Sequence, residues 1–413
     1  MAGPVFIAPS TRTFLNMGRE LVVGTPTLAT PQATMPLDQN DYNPEDTPKF
    51  LPDEAIRGVM TPLFNEIRGV QNATFSLGGP MFLDIEGFML DNVFGDMSTT
   101  SNGTLGTAPT LASAIAVGAT QLTASGSIGS PTTGSVIQIT DGAASEVVLA
   151  TSGVTGTNIL FANTPTRFAH STSATVSLQT VAGGYTHKFA ILNTGNGQPP
   201  THSMTDYTGL TTSVGARTYP SFCVSQLDIS GNTEQMLMRK VSGESWQSSP
   251  AGTTPTAATS FVLPQANWRS TVTIGGTQIN DIGNWACSIK RKLQTYWTAT
   301  NTQTPYIIAR GGLTMTYTFD WTVAENENAL SEMLTQGYLA TVITLDNGLS
   351  STNRLNITIT STTAQAVKSK PERTAVLVGY GNTMEAVANA TDAGGSGGQG
   401  PGTVSIINNS PTY

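Results

Sequence analysis

Trp268-Arg-Ser-Thr-Val-Thr-Ile-Gly-Gly-Thr-Gln-Ile-Asn280 opens the stretch that decides the fold, which runs on to Ile359. Ser270–Ile274 is built of Thr, Val and Ile, and Ala286–Lys290 and Leu313–Trp321 have the same strand-forming texture. A single helical pattern, Ala324–Tyr338, puts Leu330, Met333 and Leu334 on one face. Two further strands, Ala340–Asp346 and Leu355–Thr360, are joined by the turn Asn347-Gly348-Leu349-Ser350. One helix in an otherwise β run predicts a mainly β (α+β) sandwich whose open face or edge the helix covers.

Composition narrows the function. Only 11% of the 413 residues are charged, and Thr, Ser, Asn, Gln and Gly take their place. Such a surface suits a chain packed against its own copies, since like charges facing each other across an interface are costly. The net charge of −8 argues against a nucleic-acid reader. Lys290-Arg291-Lys292 reads as a solvated strand end. Cys223 and Cys287 are too few and too far apart for a metal framework and read as buried free thiols, although their pairing is left open. His170, His187 and His202 have neither metal nor triad spacing. Met1–Leu15 lacks the pattern of a signal peptide, and no apolar run reaches the length of a membrane span.

The chain divides by texture into five parts. Residues 1–50, rich in Pro, Thr and Ala, read as an extended arm that orders against a neighbouring subunit. In 51–100, Asp53–Val70 has Ile56, Val59, Met60, Leu63 and Ile67 at helical spacing, interrupted by Pro62. Ala73–Leu83 reads as a strand, and Asp84–Phe94 as a short helix with Ile85, Phe88, Met89 and Val93 inward and Gly95 as its stop. Residues 101–183 read as a small independent β domain with its core at Ile115, Leu122, Val136, Ile139, Val148, Leu160 and Val176. Residues 184–393 continue the main sandwich. In 394–413, glycine-rich Gly394–Gly402 reads as a flexible connector to a last strand, Thr403–Asn408.

No motif carries catalysis. Gly394-Gly-Ser-Gly-Gly lacks the following Lys-Ser/Thr and helix of a phosphate loop. Asp84 and Glu86 fall on different helix faces, and Asp91 reads as a solubilising group. Asp320 and Glu325 flank a helix start, where acidic groups favour the dipole. The sequence therefore predicts no catalytic, cofactor-binding or metal-binding residue and no cofactor. Trp246, Trp268, Trp285 and Trp297 leave one rival reading, a carbohydrate-binding or adhesin-like β protein. For Trp285, Trp297 and Trp321, core packing is the first explanation.

The order Val272-Thr273-Ile274-Gly275-Gly276, Trp285–Lys292, Thr302-Gln303-Thr304-Pro305, Thr316–Val323 and then the helix resembles the tail tube proteins of long non-contractile bacteriophage tails. Thr186-His187-Lys188-Phe189, the Pro199-Pro200 step, Tyr219–Ile229 and the closing Gly402–Tyr413 are similar to the same family, as is the strand and short apolar helix ending at Gly95. The likeness covers Asp53–Asp96 and Ala182–Tyr413, which makes 101–183 the insertion. It implies a non-enzymatic virion protein, made in the host bacterial cytoplasm, that self-assembles into stacked rings of six around a conduit for viral DNA. The implied partners are further copies, a tape-measure protein, and tail terminator and distal tail proteins, with viral DNA passing unbound and no membrane anchor. Edge strands of the sandwich would then close the ring.

Overall fold

The computed structural model describes residues 10–26, 28, 31–38, 41–58, 60–61, 63–151, 157–210, 215–251, 255–260, 262–322, 333–349, 353–372 and 379–413. The fold is mainly β, as the strand texture predicts, and among the described residues the strands pair antiparallel, with one isolated parallel bridge between Thr34 and Thr259. One long sheet runs in the order Tyr42–Asp53, Asn65–Pro80, Met238–Trp246, Ala216–Asn232, Ile282–Tyr296, Ile307–Thr322, Gly379–Ala386 and Asn356–Glu372.

Two of these strands also belong to other layers. The first half of Asn356–Glu372 pairs with Thr403–Asn408, which leads to Tyr185–Ile191 and Gly95–Ser101. On its other side lie Tyr338–Asp346, Ser270–Ile274 and Thr277–Ile279. The first half of Ala216–Asn232 leads to His202–Tyr207, Phe14–Arg19 and Ala33–Met35. Long strands that switch layers in this way turn the corners of a sandwich. Between the layers lies the helix α1, Gly87–Phe94, with all eight residues buried. It ends at Gly95 in the left-handed region, φ 86°, where an added Cβ would lie 2.8 Å from Pro199. Ile85, Phe88, Met89 and Val93 are buried as their spacing predicts.

A second hydrophobic core, separate from the first, contains Leu122, Ile139, Val148 and Val176, with Ile115 packed against it. It is enclosed by a four-stranded and a two-stranded sheet within 104–181. Its neighbours Ile137 and Ile159 are fully buried, whereas Val136 and Leu160 are not. Ile139 is inward as expected and shares its face with Ile137, so Val136 and Leu160 are each one residue off the inward face, and one residue is enough to reverse the side on which a strand residue lies.

Several expectations need correction. Asp53–Val70 is not a helix. It is the end of a long hairpin whose strands are Tyr42–Asp53 and Asn65–Pro80, so the expected strand from Ala73 begins eight residues earlier. Ile56 and Met60 are fully exposed, so their helical spacing faces no core. Within residues 1–50, Phe14–Arg19 is an interior strand of this subunit, with Leu15 and Met17 fully buried. Gly394–Gly402 is held in place: Asp96 accepts hydrogen bonds from the backbone N–H of Gly395 (3.2 Å) and Ser396 (2.6 Å). Arg291 lies mid-strand and buried, not at a solvated end. Most of the expected helix Ala324–Tyr338, Leu330 included, lies outside the described residues. Leu334 is exposed, Met333 packs partly against the core, and Tyr338 begins a strand.

Candidate functional site: a buried ionic cluster and two apolar ends

An eight-residue helix in a core leaves backbone groups at both ends without intrahelical partners. At its C-terminal end, charged side chains from distant strands supply partners for the free carbonyls. Arg310 donates to the carbonyls of Asn92 (3.3 Å), Pro200 (3.1 Å) and Pro199, and Arg291 donates to the carbonyl of Phe94 (3.4 Å). Both cations sit at the negative end of the helix dipole. Before the first turn, buried Glu86 pairs with buried Arg239 at 3.0 Å, and Arg239 also donates to the carbonyls of Pro80 (3.2 Å) and Pro36 (2.9 Å). Burial pushes the Glu86 carboxyl up, against the pull of Arg239.

Asp91, expected at the surface, is fully buried and pairs with Arg167 of the 101–183 segment at 2.6 Å. Arg167 also donates to the carbonyl of Tyr413 (2.5 Å), and its own N–H goes to Glu146, which holds His170 at 2.6 Å. Asn92 donates to the Phe222 carbonyl (2.7 Å) and faces His202 Nδ1 at 2.9 Å. His202 is therefore the tautomer protonated at Nε2. In the same way His187 accepts from Thr99 at Nδ1 (3.0 Å) and donates from Nε2 to the Ser410 carbonyl (2.8 Å).

The pairs of this constellation join the helix to the strands and to the 101–183 segment around it. Cys223 and Cys287 are buried free thiols, both pushed up by desolvation, which removes the thiolate a nucleophile requires. Among the described residues no group of three His, Cys, Asp or Glu could hold a metal ion. Asp84 accepts from Ser260 at 2.7 Å, and Asp320 lies opposite Asn284 in a strand ladder. Glu325 lies outside the described residues. Trp285 is buried and donates to Asn267 (3.1 Å) and Ser270 (3.2 Å), while Trp268 is exposed with Arg269 5.0 Å above its ring.

The surface features lie at the two ends of the long sheet. Trp246 is opposite Asn72, so Asn65–Gln71 and its partner strand run beyond that neighbour by about 20 Å at ~3.3 Å per residue. This projecting end exposes Phe50, Leu51, Ile56, Met60, Leu63 and Ile67. Arg57 lies 4.5 Å above Phe64 and pairs with Asp53 at 2.5 Å, which ties the tip together. At the opposite end, where Met238 is opposite Pro80, a groove of about 580 Å³ is walled by Leu263, Trp268, Leu349 and Leu355. Leu263, Trp268 and Leu349 are exposed. Contiguous exposed apolar surface of this kind marks an interaction site.

The outer edge of the hairpin is poorly suited to the expected strand-to-strand ring contact. Pro44, Pro48 and Pro52 recur on the side facing away from Asn65–Pro80 and remove every second outward N–H donor. Composition could not have pointed to either apolar end. The hairpin residues carried a helical period, and the groove draws on segments about 80 residues apart.

A family model described as phage tail tube protein matches residues 10–400, nearly the whole chain. No curated protein matches it.

The buried imidazoles set a pH dependence. Burial pushes His187 down from 6.5 to about 4 and His202 to about 3, with Asp91 opposing the shift of His202. The unfolded chain takes up these protons first, so the stability is full above about 6.5 and is lost as pH falls towards 4 and 3. The loss is about 1.4 kcal/mol per pH unit for each histidine. Glu86 and Asp96, raised by burial, act in the opposite direction. Chemical denaturation between about pH 7 and pH 5 is expected to show falling stability, with a shallower slope in His187→Asn. A flat profile in both proteins would contradict neutral buried imidazoles.

Proposed function

This chain belongs to the phage tail tube protein family, and on that premise we propose that it is a structural virion subunit whose copies stack head to tail into the tube. The observation that carries this reading is the pair of apolar surfaces at opposite ends of one long sheet. An interface between unlike surfaces repeats without closing along its own axis and generates a filament, while rotation about that axis closes each ring. We assign the projecting hairpin as the head and the Leu263–Trp268–Leu349 groove as the tail. Rings of six, a tail of the long non-contractile type, a central conduit for viral DNA, and contact with tape-measure, terminator and distal tail proteins complete the proposal. A low content of Lys and Arg suits a channel along which DNA slides, since each inward cation would hold a phosphate.

We further propose that 101–183 is an inserted module on the tube exterior. Its separate core supports autonomy, but Arg167 ties it to Asp91. Residues 51–100 and 184–393 would then be the tube sandwich proper. The rival carbohydrate-binding reading has less support, because Trp285 is buried with its N–H engaged.

Two variants test these readings. Ile56→Ser with Met60→Ser changes only exposed side chains, so subunit stability is expected to stay within about 0.5 kcal/mol of the parent. Tube formation, followed by negative-stain microscopy and sedimentation, is expected to fail, and normal tubes would overturn the role of the tip. Replacing residues 107–180 with a short Gly/Ser linker removes Arg167, so the variant must also carry Asp91→Asn to avoid an unpaired buried charge worth about 3–5 kcal/mol. That variant is expected to form tubes. A folded subunit that makes none would place the segment within the assembly machinery.

A further inference from the structure

The 101–183 segment meets the main sandwich along the edge of one strand. Gly95–Ser101 ends its layer and pairs with Tyr185–Ile191. The Asn102 N–H goes to the Gly184 carbonyl on that same side. Peptide groups alternate along a strand, so Met97, Thr99 and Ser101 turn theirs to the opposite side. Among the described residues no further strand pairs there.

Two side chains of the segment stand where that strand would be. The Ser101 N–H donates to Gln138 Oε1 at 2.9 Å, and Ser145 Oγ donates to the Thr99 carbonyl at 3.0 Å. Gln138 Nε2 in turn donates to Thr140 Oγ1 at 3.0 Å. These residues share one face of the hairpin Val136–Asp141 and Ala144–Leu149, in which Thr140 is opposite Ser145 and Gln138 opposite Val147. The other face, with Ile137, Ile139 and Val148, builds the segment's own core. The polar face of an antiparallel pair ordinarily meets water. This one is enclosed: Gln138 is 5% exposed, Ser145 6% and Val147 4%, and Val147 belongs to neither hydrophobic core. A polar face tolerates burial only where its groups find partners, and here the partners are the backbone groups of the edge.

Other outer edges of the sandwich are closed by different means. Tyr42–Asp53 carries prolines, and Thr277–Ile279 is three residues long. Gly95–Ser101, with seven residues and no proline, has neither protection of its own. A bare edge of this kind is a template for a strand of another chain.

We propose that the 101–183 segment is an edge cap, in which Gln138 and Ser145 stand in for a neighbouring strand and keep a second copy of the chain from pairing along Gly95–Ser101. Glutamine and serine suit the task because each offers both a donor and an acceptor. The role belongs to the separate subunit and does not depend on the tube reading. The cap does not enter the tip-to-groove contact, so the 107–180 replacement is still expected to assemble, with irregular aggregate beside its tubes.

The test is Gln138→Lys in the full chain, which sets a cation against the Ser101 N–H. Parent and variant both carry Ile56→Ser and Met60→Ser. A parent that still forms tubes then reports on the tip, and only the difference between the two proteins reports on the cap. Amide hydrogen exchange across 95–101 is expected to quicken about tenfold or more. Sedimentation velocity over a concentration series is expected to show dimers and larger species that the parent lacks. A group that served stability alone would lower the melting temperature without this association. Where the lysine variant does not fold, Gln138→Leu, which lacks the acceptor, carries the same expectation. Unchanged exchange in a folded variant would overturn the capping contacts, and faster exchange without added association would overturn their function.

Discussion

The rest of the structure depends on the burial of α1, because a helix in the centre of a sandwich must have its ends and its charges answered from elsewhere. Asp91 is answered by Arg167, Glu86 by Arg239, and the terminal carbonyls by Arg291 and Arg310. Breaking one such buried pair costs about 3–5 kcal/mol, against a total stability on the order of 5–15 kcal/mol for a domain. Each contact joins residues far apart in sequence, so the helix specifies how the layers meet. The chain end is part of the same arrangement, with the Tyr413 ring 5.2 Å from Phe88 and 4.9 Å from His187.

This arrangement inverts the usual distribution of residues. Arg239, Arg291 and Arg310 are buried, while Ile56, Met60, Leu263 and Trp268 are exposed. In a chain with only 11% charged residues, internal use of arginine leaves the surface still poorer in charge. Such a surface lowers the desolvation cost of association, and the prolines of Tyr42–Asp53 limit uncontrolled pairing along the open edge.

The β architecture was legible because β-branched runs such as Ser270–Ile274 and Ala340–Asp346 have no competing helical reading. Ile85, Phe88, Met89 and Val93 were legible because a short helix with apolar residues on several sides has to be buried. The candidate site was not legible. Ile56, Met60, Leu63 and Ile67 carried a helical period by chance, since they are exposed at the hairpin end and no core constrains their spacing. Asp91 and Arg291 looked solvated because their partners, Arg167 and the Phe94 carbonyl, lie 76 and 197 residues away. The glycines of 394–402 looked flexible because composition does not show that the Asp96 carboxylate receives their backbone N–H groups.

Disulfide trapping between the two apolar ends tests head-to-tail stacking most directly. Ile56→Cys and Leu263→Cys would be introduced together, and the native thiols Cys223 and Cys287 are buried and do not compete. After oxidation of assembled protein, a denaturing gel without reductant is expected to show a ladder of covalent multimers that requires both new cysteines. Assembled tubes that yield no ladder, or the same products from either cysteine alone, would contradict a tip-to-groove contact.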